Sequence, residues 1–241
     1  MAVPRFEKAI GDATTNKAVW AAVAGHFHGS AVNRVSYLHL PPLGAVDETR
    51  PRMYTEGFPD WLVARYFDEG LFRSNPAIKL AANQMQPIYW DELAQHEPRN
   101  EREREFLEQF KAVQLGSGVA IHAFGPSGRN GQFGLGFRDG VRRLEPEALS
   151  DAQWICQLAH LRYCALLTPT LGTPIDLSDR ESEVLAWVAR GKSNVTIGEI
   201  LGISTHTVNA HMRRIYLKLG VFDRVTAAVR GIGNGLIHAE S

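Results

Sequence analysis

Between Val32 and Leu40 apolar and polar side chains alternate (VNRVSYLHL), the period-two pattern of a strand with one buried face, and Pro41-Pro42 stops it. Helical and strand patterns mix on either side of it. Lys17 to His26, rich in Ala, Val and Trp, predicts a helix. Pro59 and Pro76 each open a further predicted helix, through Phe67 and Ala82, since proline is tolerated in a first helical turn. Ile88 to Trp90 predicts a short strand, and Glu101 to Ala112 a charged amphipathic helix. Gly118 to Phe124 and Gln132 to Phe137 predict two strands joined by a hairpin-type turn, Gly125 to Gly131. Glu147 to Leu166 predicts a long helix with Trp154, Leu158, Leu161 and Leu166 near helical spacing. These elements add up to an α/β/α sandwich around a mostly antiparallel sheet.

The pattern changes at Leu167 to Asp176 (LTPTLGTPID), where two prolines, a glycine and three threonines have the composition of a linker. Beyond it everything reads as short helices. Leu177 to Arg190 ends at Gly191, and Val195 to Leu201 ends at Gly202. Ser204 is an N-cap for a third helix running to Leu219, and Arg224 to Gly231 begins a fourth. The fold class is therefore α+β: the sandwich over residues 1–167, a linker over 168–175, and an all-α four-helix domain over 176–241.

The 241 residues carry 26 basic and 26 acidic side chains, so no global positive field announces nucleic acid, and any DNA contact must come from a local arrangement. The 44% hydrophobic content argues against disorder. Cys156 and Cys164 sit eight apart in one predicted helix, about 12 Å at 1.5 Å per residue, too far for a disulfide. They are expected to be reduced core residues of a cytosolic protein, and two cysteines read without nearby histidines make a poor zinc site. No apolar run reaches about 18 residues and no charged-then-apolar leader opens the chain, so a cytoplasmic protein off the membrane is expected.

Only Gly202-Ile203-Ser204 separates the second and third C-terminal helices, the spacing of a helix-turn-helix. Val208, His211, Met212, Ile215 and Leu219 form one expected buried stripe, and His206, Asn209, Arg213 and Arg214 lie opposite, with Lys218 further on. Such a helix fits a major groove; periodicity alone would equally suit a small helical bundle. The residues LSDRESEVLAWVARGKSN (Leu177 to Asn194) and LGISTHTVNAHMRRIYLKL (Leu201 to Leu219) resemble the LuxR-type DNA-binding domain, over about Leu177 to Val229. Glu181, Leu185 and Gly191 fall on its characteristic positions, which implies a charge tying helices together, a core leucine and a helix-ending glycine. The resemblance implies DNA contact at His206, Thr207, Asn209 and Arg213, with Arg214 and Lys218 as phosphate candidates. One departure is Gly198, where the family has alanine; glycine costs roughly 1 kcal/mol of helix propensity.

Phe58 to Tyr66 (FPDWLVARY), Asn75-Pro76, Pro87 to Trp90 (PIYW) and Gly116 to Gly118 resemble the autoinducer-binding domain of quorum-sensing regulators of the same family. Phosphoacceptor domains, which precede the same DNA-binding module in response regulators, need repeated βα units that this chain lacks. The resemblance implies that Tyr66, Asn75 and Trp90 hold the polar head of an acyl-homoserine lactone or a related small amphipathic signal, its tail lying between sheet and helices. Two positions depart: Asn75 replaces an aspartate and Leu62 a tryptophan. An amide offers an N–H2 donor where a carboxylate only accepts, so a ligand presenting an acceptor there is favoured. Tyr54, Phe58, Trp61, Leu71 and Phe72 are pocket-lining or plain core, Gly118 belongs to the matched stretch, and Gly134 and Gly136 leave room for a tail or mark bulges. Other expected partners are double-stranded DNA with a roughly palindromic operator and a second copy of the chain, paired through Glu147 to Leu166 and Ala227 to Ile232.

Other signals carry less. The alternating charges of Asn100 to Phe106 read as a solvated helix face. His26-Phe27-His28 lacks a third metal ligand at suitable spacing, and no nucleophile elbow, Walker loop or metalloprotease helix occurs. No metal, cofactor or catalytic activity is expected. A ligand-independent DNA-binding protein, with the front domain serving only dimerisation, stays open as the alternative, and an enzyme with a helical accessory is the reading the residues least support.

Overall fold

The computed structural model describes residues 3–49, 52–84, 86–171 and 175–237. By packing, the chain divides into two units: Met1–Leu40, Arg52–Gly125 and Asn130–Thr168 in one, and Pro41–Pro51, Pro126–Arg129 and Pro169–Ser241 in the other. The loop ending in Pro51 and the tip of the hairpin turn thus group with the C-terminal helices rather than with the strands that flank them.

In the first unit α1 (Val3–Asp12) and α2 (Asn16–Phe27) precede β1 (Val32–Leu40) and β2 (Met53–Glu56). Then come α3 (Asp60–Asp68), a 3-10 turn (Leu71–Ser74), α4 (Pro76–Gln84), β3 (Ile88–Tyr89), α5 (Trp90–Ala94) and α6 (Glu101–Val113). β4 (Gly118–Ala123), β5 (Asn130–Phe137) and the long α7 (Pro146–Leu167) complete it. The sheet order is β2-β1-β5-β4-β3, and every neighbouring pair is antiparallel. Alternation sorts its side chains. Tyr37, Tyr54 and Phe133 face α7, where Tyr37 meets the Tyr163 ring at 5.0 Å. Ser36, Thr55, Ala120 and Gly134 face the side of α3 to α6.

Three expectations change in this unit. Helix α1, which buries Phe6 and Ile10, and the four-residue strand β2 have no counterpart in the sequence reading. Trp90 does not end a strand but opens α5, whose first turn is tied by a bond from the Tyr89 N–H to Glu92 Oε2 at 3.3 Å. On α7 the buried face is Ile155, Cys156, Ala159, His160, Tyr163 and Cys164, while Trp154 and Leu161 are exposed. Both cysteines are free and buried. Residues 172–174 of the expected linker lie outside the described residues.

The second unit holds α8 (Asp179–Ala189), α9 (Asn194–Leu201), α10 (Thr205–Leu219) and α11 (Arg224–Gly233). Each is opened by a side-chain cap, from Ser178, Ser193, Ser204 and Asp223 respectively, which satisfies N–H groups that a helix start leaves orphaned. Gly191, Gly202 and Gly220 end the first three at positive φ (77°, 65° and 63°), conformations that cost a side chain strain. Val208, Met212, Ile215 and Leu219 of α10 are buried with Val184, Leu185 and Ile197. Each such side chain contributes about 1.5–3 kcal/mol on burial. His211, expected in that stripe, is only half-buried. Among the described residues no helix is long and apolar enough to cross a membrane.

Candidate functional site

A mostly apolar cavity of about 140 Å³ lies between the sheet and the helices α3 to α6. Tyr66, Asn75, Trp90, Leu62 and Phe58, five of the residues singled out from sequence, line it, as do Leu71 and Gly134. Phe72 is buried, whereas Trp61 is exposed and belongs to no core. Tyr54 does not reach the cavity. Strand alternation turns it to the opposite face, where it stacks on Trp20 at 5.7 Å, while its neighbours Met53 and Thr55 line the cavity.

Gly118 is not among the lining residues either; its contribution is to seat Trp90. A Cβ there would lie 2.5 Å from Trp90 Cδ2 and 2.6 Å from the Leu135 carbonyl oxygen. Gly134 and Gly136 continue this bare strip, with hypothetical Cβ atoms 4.0 Å and 3.0 Å from the same indole. The glycines therefore make room for an aromatic ring on the sheet, and Gly136 also borders a bulge: Val32 pairs with Phe137 and Arg34 with Gly136, a register shift that Gly134 does not share.

Asn75 joins the end of the 3-10 turn to α4. Its Oδ1 accepts the Ala77 N–H at 2.9 Å, and its Nδ2 donates to the Tyr66 hydroxyl at 2.9 Å. The amide oxygen is thus engaged by the start of α4. Burial pushes the Tyr66 hydroxyl up to about 12, against the opposing effect of the Asn75 bond, so the phenol keeps its proton. With its oxygen accepting from Asn75, that proton is left to donate into the cavity. Two polar atoms of the lining went unnoticed in the sequence: Gln109 Oε1 and Gln132 Nε2 are buried with no partner among the described residues. Buried orphan atoms of this kind cost about 1–3 kcal/mol each until something pairs them.

In the second unit His206, Asn209, Arg213 and Arg214 are exposed on α10, opposite its buried stripe. Asn194 of α9 donates to Asn209 Oδ1 at 2.7 Å, a support that the sequence did not reveal. Thr207 serves the cap instead of standing free: its N–H donates to Ser204 Oγ at 3.0 Å and the two hydroxyls lie 2.8 Å apart. Gly198 is more than a propensity defect, because a Cβ there would lie 2.7 Å from the Ile203 carbonyl oxygen of the turn. The turn is closed by the Ile203 N–H donating to the Gly198 carbonyl at 2.9 Å.

Lys218, expected at a phosphate, donates to Glu181 Oε2 at 2.7 Å and ties α10 to α8. Burial would raise the Glu181 carboxyl, but the Lys218 ammonium and the bonds from Ser178 outweigh it and hold the group below its ordinary value. A lowered folded value means stability present above the unfolded glutamate pKa of about 4.3 and lost as pH falls through the folded value. Glu181→Gln is expected to cost about 1–2 kcal/mol at pH 7, since a charge-assisted bond is lost and Lys218 is partly solvated. Urea unfolding at pH 7 and pH 3.5 checks this: the gap between parent and variant should narrow in acid, and a gap constant with pH would refute the assignment.

A mostly apolar cavity with a polar pair in its wall, on a chain that also carries a capped helix-turn-helix, defines a DNA-binding regulator with a small-molecule domain. Residues 15–163 match the autoinducer binding domain, and residues 176–230 match the bacterial regulatory proteins of the luxR family. The chain belongs to this LuxR family and is a transcriptional regulator rather than an enzyme. It is 32% identical over 184 residues to SolR, a transcriptional activator of Ralstonia nicotianae, covering 75% of this chain and 76% of SolR. It is 31% identical over 181 residues to y4qH of Sinorhizobium fredii, covering 75% of this chain and 55% of that relative, so it spans about half of y4qH. In fold it is similar to the crystal structure of Escherichia coli SdiA, with a TM-score of 0.70 at 21% identity over 97% of both chains.

Proposed function

We propose that residues 1–167 sense a small amphipathic signal, an acyl-homoserine lactone or a relative of one, and that residues 176–241 then act on DNA. The observation that carries this reading is the Tyr66–Asn75 pair at the wall of an apolar cavity. The pair presents a phenolic O–H and a spare amide N–H, so the ligand group it meets is an acceptor such as a carbonyl. A cavity of about 140 Å³ has room for roughly ten water-sized groups, counting about 10–15 Å³ for each, which suits a short acyl tail.

The regulator works as a cytoplasmic homodimer on a roughly palindromic operator, with half-sites about 34 Å apart. Exposed apolar side chains support the pairing: Trp154 and Leu161 on α7, and Val225 and Ile232 on α11. Asn209 and Arg213 meet base edges, His206 and Arg214 flank them, and pairing two short basic surfaces doubles the phosphate contacts of a chain with no net charge.

The test is thermal unfolding of the purified protein with acyl-homoserine lactones of four to twelve carbons, alongside analogues whose amide N–H is replaced by oxygen. At 100 times the dissociation constant a ligand adds about 2.7 kcal/mol, which in a chain of this size raises the melting temperature by roughly 5–10 °C. Short tails and the N–H-free analogues should shift it at least as far as the long-chain amides. No shift from any member would leave the ligand-independent regulator as the better account.

A further inference from the structure

On the far side of the sheet from the cavity, three ligating side chains meet in the core. His39 on β1 and His160 and Cys164 on α7 are each at most 1% exposed, and their ligand atoms lie within 4.8 Å of one another. His160 and Cys164 stand four apart and so share a helix face, bringing Cys164 Sγ within 3.6 Å of His160 Nε2. Bonds of about 2.0–2.3 Å from nitrogen and sulfur to one ion set three trigonal ligands roughly 3.5–4 Å apart. One separation already has that value, and the largest needs a contraction of about an ångström.

We propose that His39, His160 and Cys164 form a buried site for a single monovalent copper ion, bound as a thiolate with two neutral imidazoles. Three observations support the choice. First, the outer partner is in place: Tyr37 Oη lies 2.8 Å from His160 Nδ1 and 3.5 Å from His39 Nδ1. When the Nδ1–H of His160 donates to that oxygen, Nε2 keeps its lone pair toward the sulfur, the arrangement that orients metal-bound histidines. Second, the strand makes room. Gly131 pairs with His39 across the sheet, and a Cβ on it would lie 2.6 Å from His160 Nδ1 and 2.7 Å from Tyr37 Cε2.

Third, charge selects the ion. No aspartate or glutamate joins the cluster among the described residues, and a cationic residue, Arg52, lies beside it on the sheet, its carbonyl accepting the His39 N–H at 2.9 Å. Cu(I) with one thiolate is neutral, whereas a divalent ion would leave a net positive charge buried beside a cation. The thiolate and imidazole donors suit a soft ion. Loading exchanges the Cys164 thiol proton for copper, with no change of oxidation state. The ion then staples α7 to β1, and this corrects the sequence reading in which the cysteines lack histidine neighbours.

The test uses the full chain, folded anaerobically with Cu(I) because the site is closed, then challenged with bathocuproine disulfonate. One copper per chain is expected to resist the chelator. Cys164→Ser and His160→Gln should each lower retention at least tenfold, while Cys156→Ser, whose sulfur stands outside the cluster, should not. X-ray absorption of the parent should show one sulfur and two nitrogens, a readout that stands even where a variant fails to fold. Copper lost to the chelator, retention unchanged in Cys164→Ser, or retention of zinc in place of copper would each overturn the proposal.

Discussion

Replacing Asn209 and Arg213 together by alanine is expected to weaken operator binding by roughly 30-fold or more while leaving the fold intact. The two side chains are exposed on α10, on the side away from Val208, Met212, Ile215 and Leu219. Well-made contacts to bases are worth about 1–3 kcal/mol each, so two of them multiply to that factor or beyond. Surface substitutions away from packing change stability by only about 0.5 kcal/mol either way, so the melting temperature should hold. Fluorescence anisotropy on labelled operator DNA, beside thermal unfolding, makes the measurement. Asn194→Ala provides a finer reading, because Asn194 donates to Asn209 Oδ1 and aims it. It should cost less affinity than Asn209→Ala. A folded double variant that grips the operator as tightly as the parent would show that α10 is not the reading helix.

Gly118→Ala is the second large effect, and it acts at the other end of the chain. The added methyl would fall 2.5 Å from the Trp90 ring and 2.6 Å from the Leu135 carbonyl oxygen. The carbonyl belongs to a central strand and cannot retreat, so the indole must leave its seat. Overpacking of this kind costs about 1–3 kcal/mol. Trp90 also borders the cavity, so displacing it should reduce signal affinity at least tenfold as well. Calorimetric titration and Trp fluorescence follow the two consequences separately. Normal stability with normal signal binding would mean that the glycine strip is incidental to the pocket.

The sequence discloses most where local chemistry closes an element by itself. Ser204, the Gly202 turn and the apolar stripe fix α10 to the residue, because cap, turn and period all agree. Strand β1 is equally legible, since nine alternating residues run into two prolines. What stays hidden depends on neighbours distant in sequence. Strand β2 is four residues long and is defined by pairing with β1, so its alternation was too short to read, and with it went the side on which Tyr54 lies. Trp90 has the composition of a strand end, yet the first turn of α5 captures it. Lys218 looks like a phosphate ligand until α8 brings Glu181 beneath it. His160 and Cys164 were readable as one helix face; His39, 121 residues before His160, was not.

The sheet's outer strands are also its shortest, four residues in β2 and two in β3. Long unpaired margins are templates for association between molecules, because their free amides and carbonyls invite another chain to continue the ladder. Here the three long strands occupy the middle, and little main chain is left for a stranger to copy. An autoinducer-binding domain with an apolar cavity beside its sheet gains colloidal safety from those clipped borders.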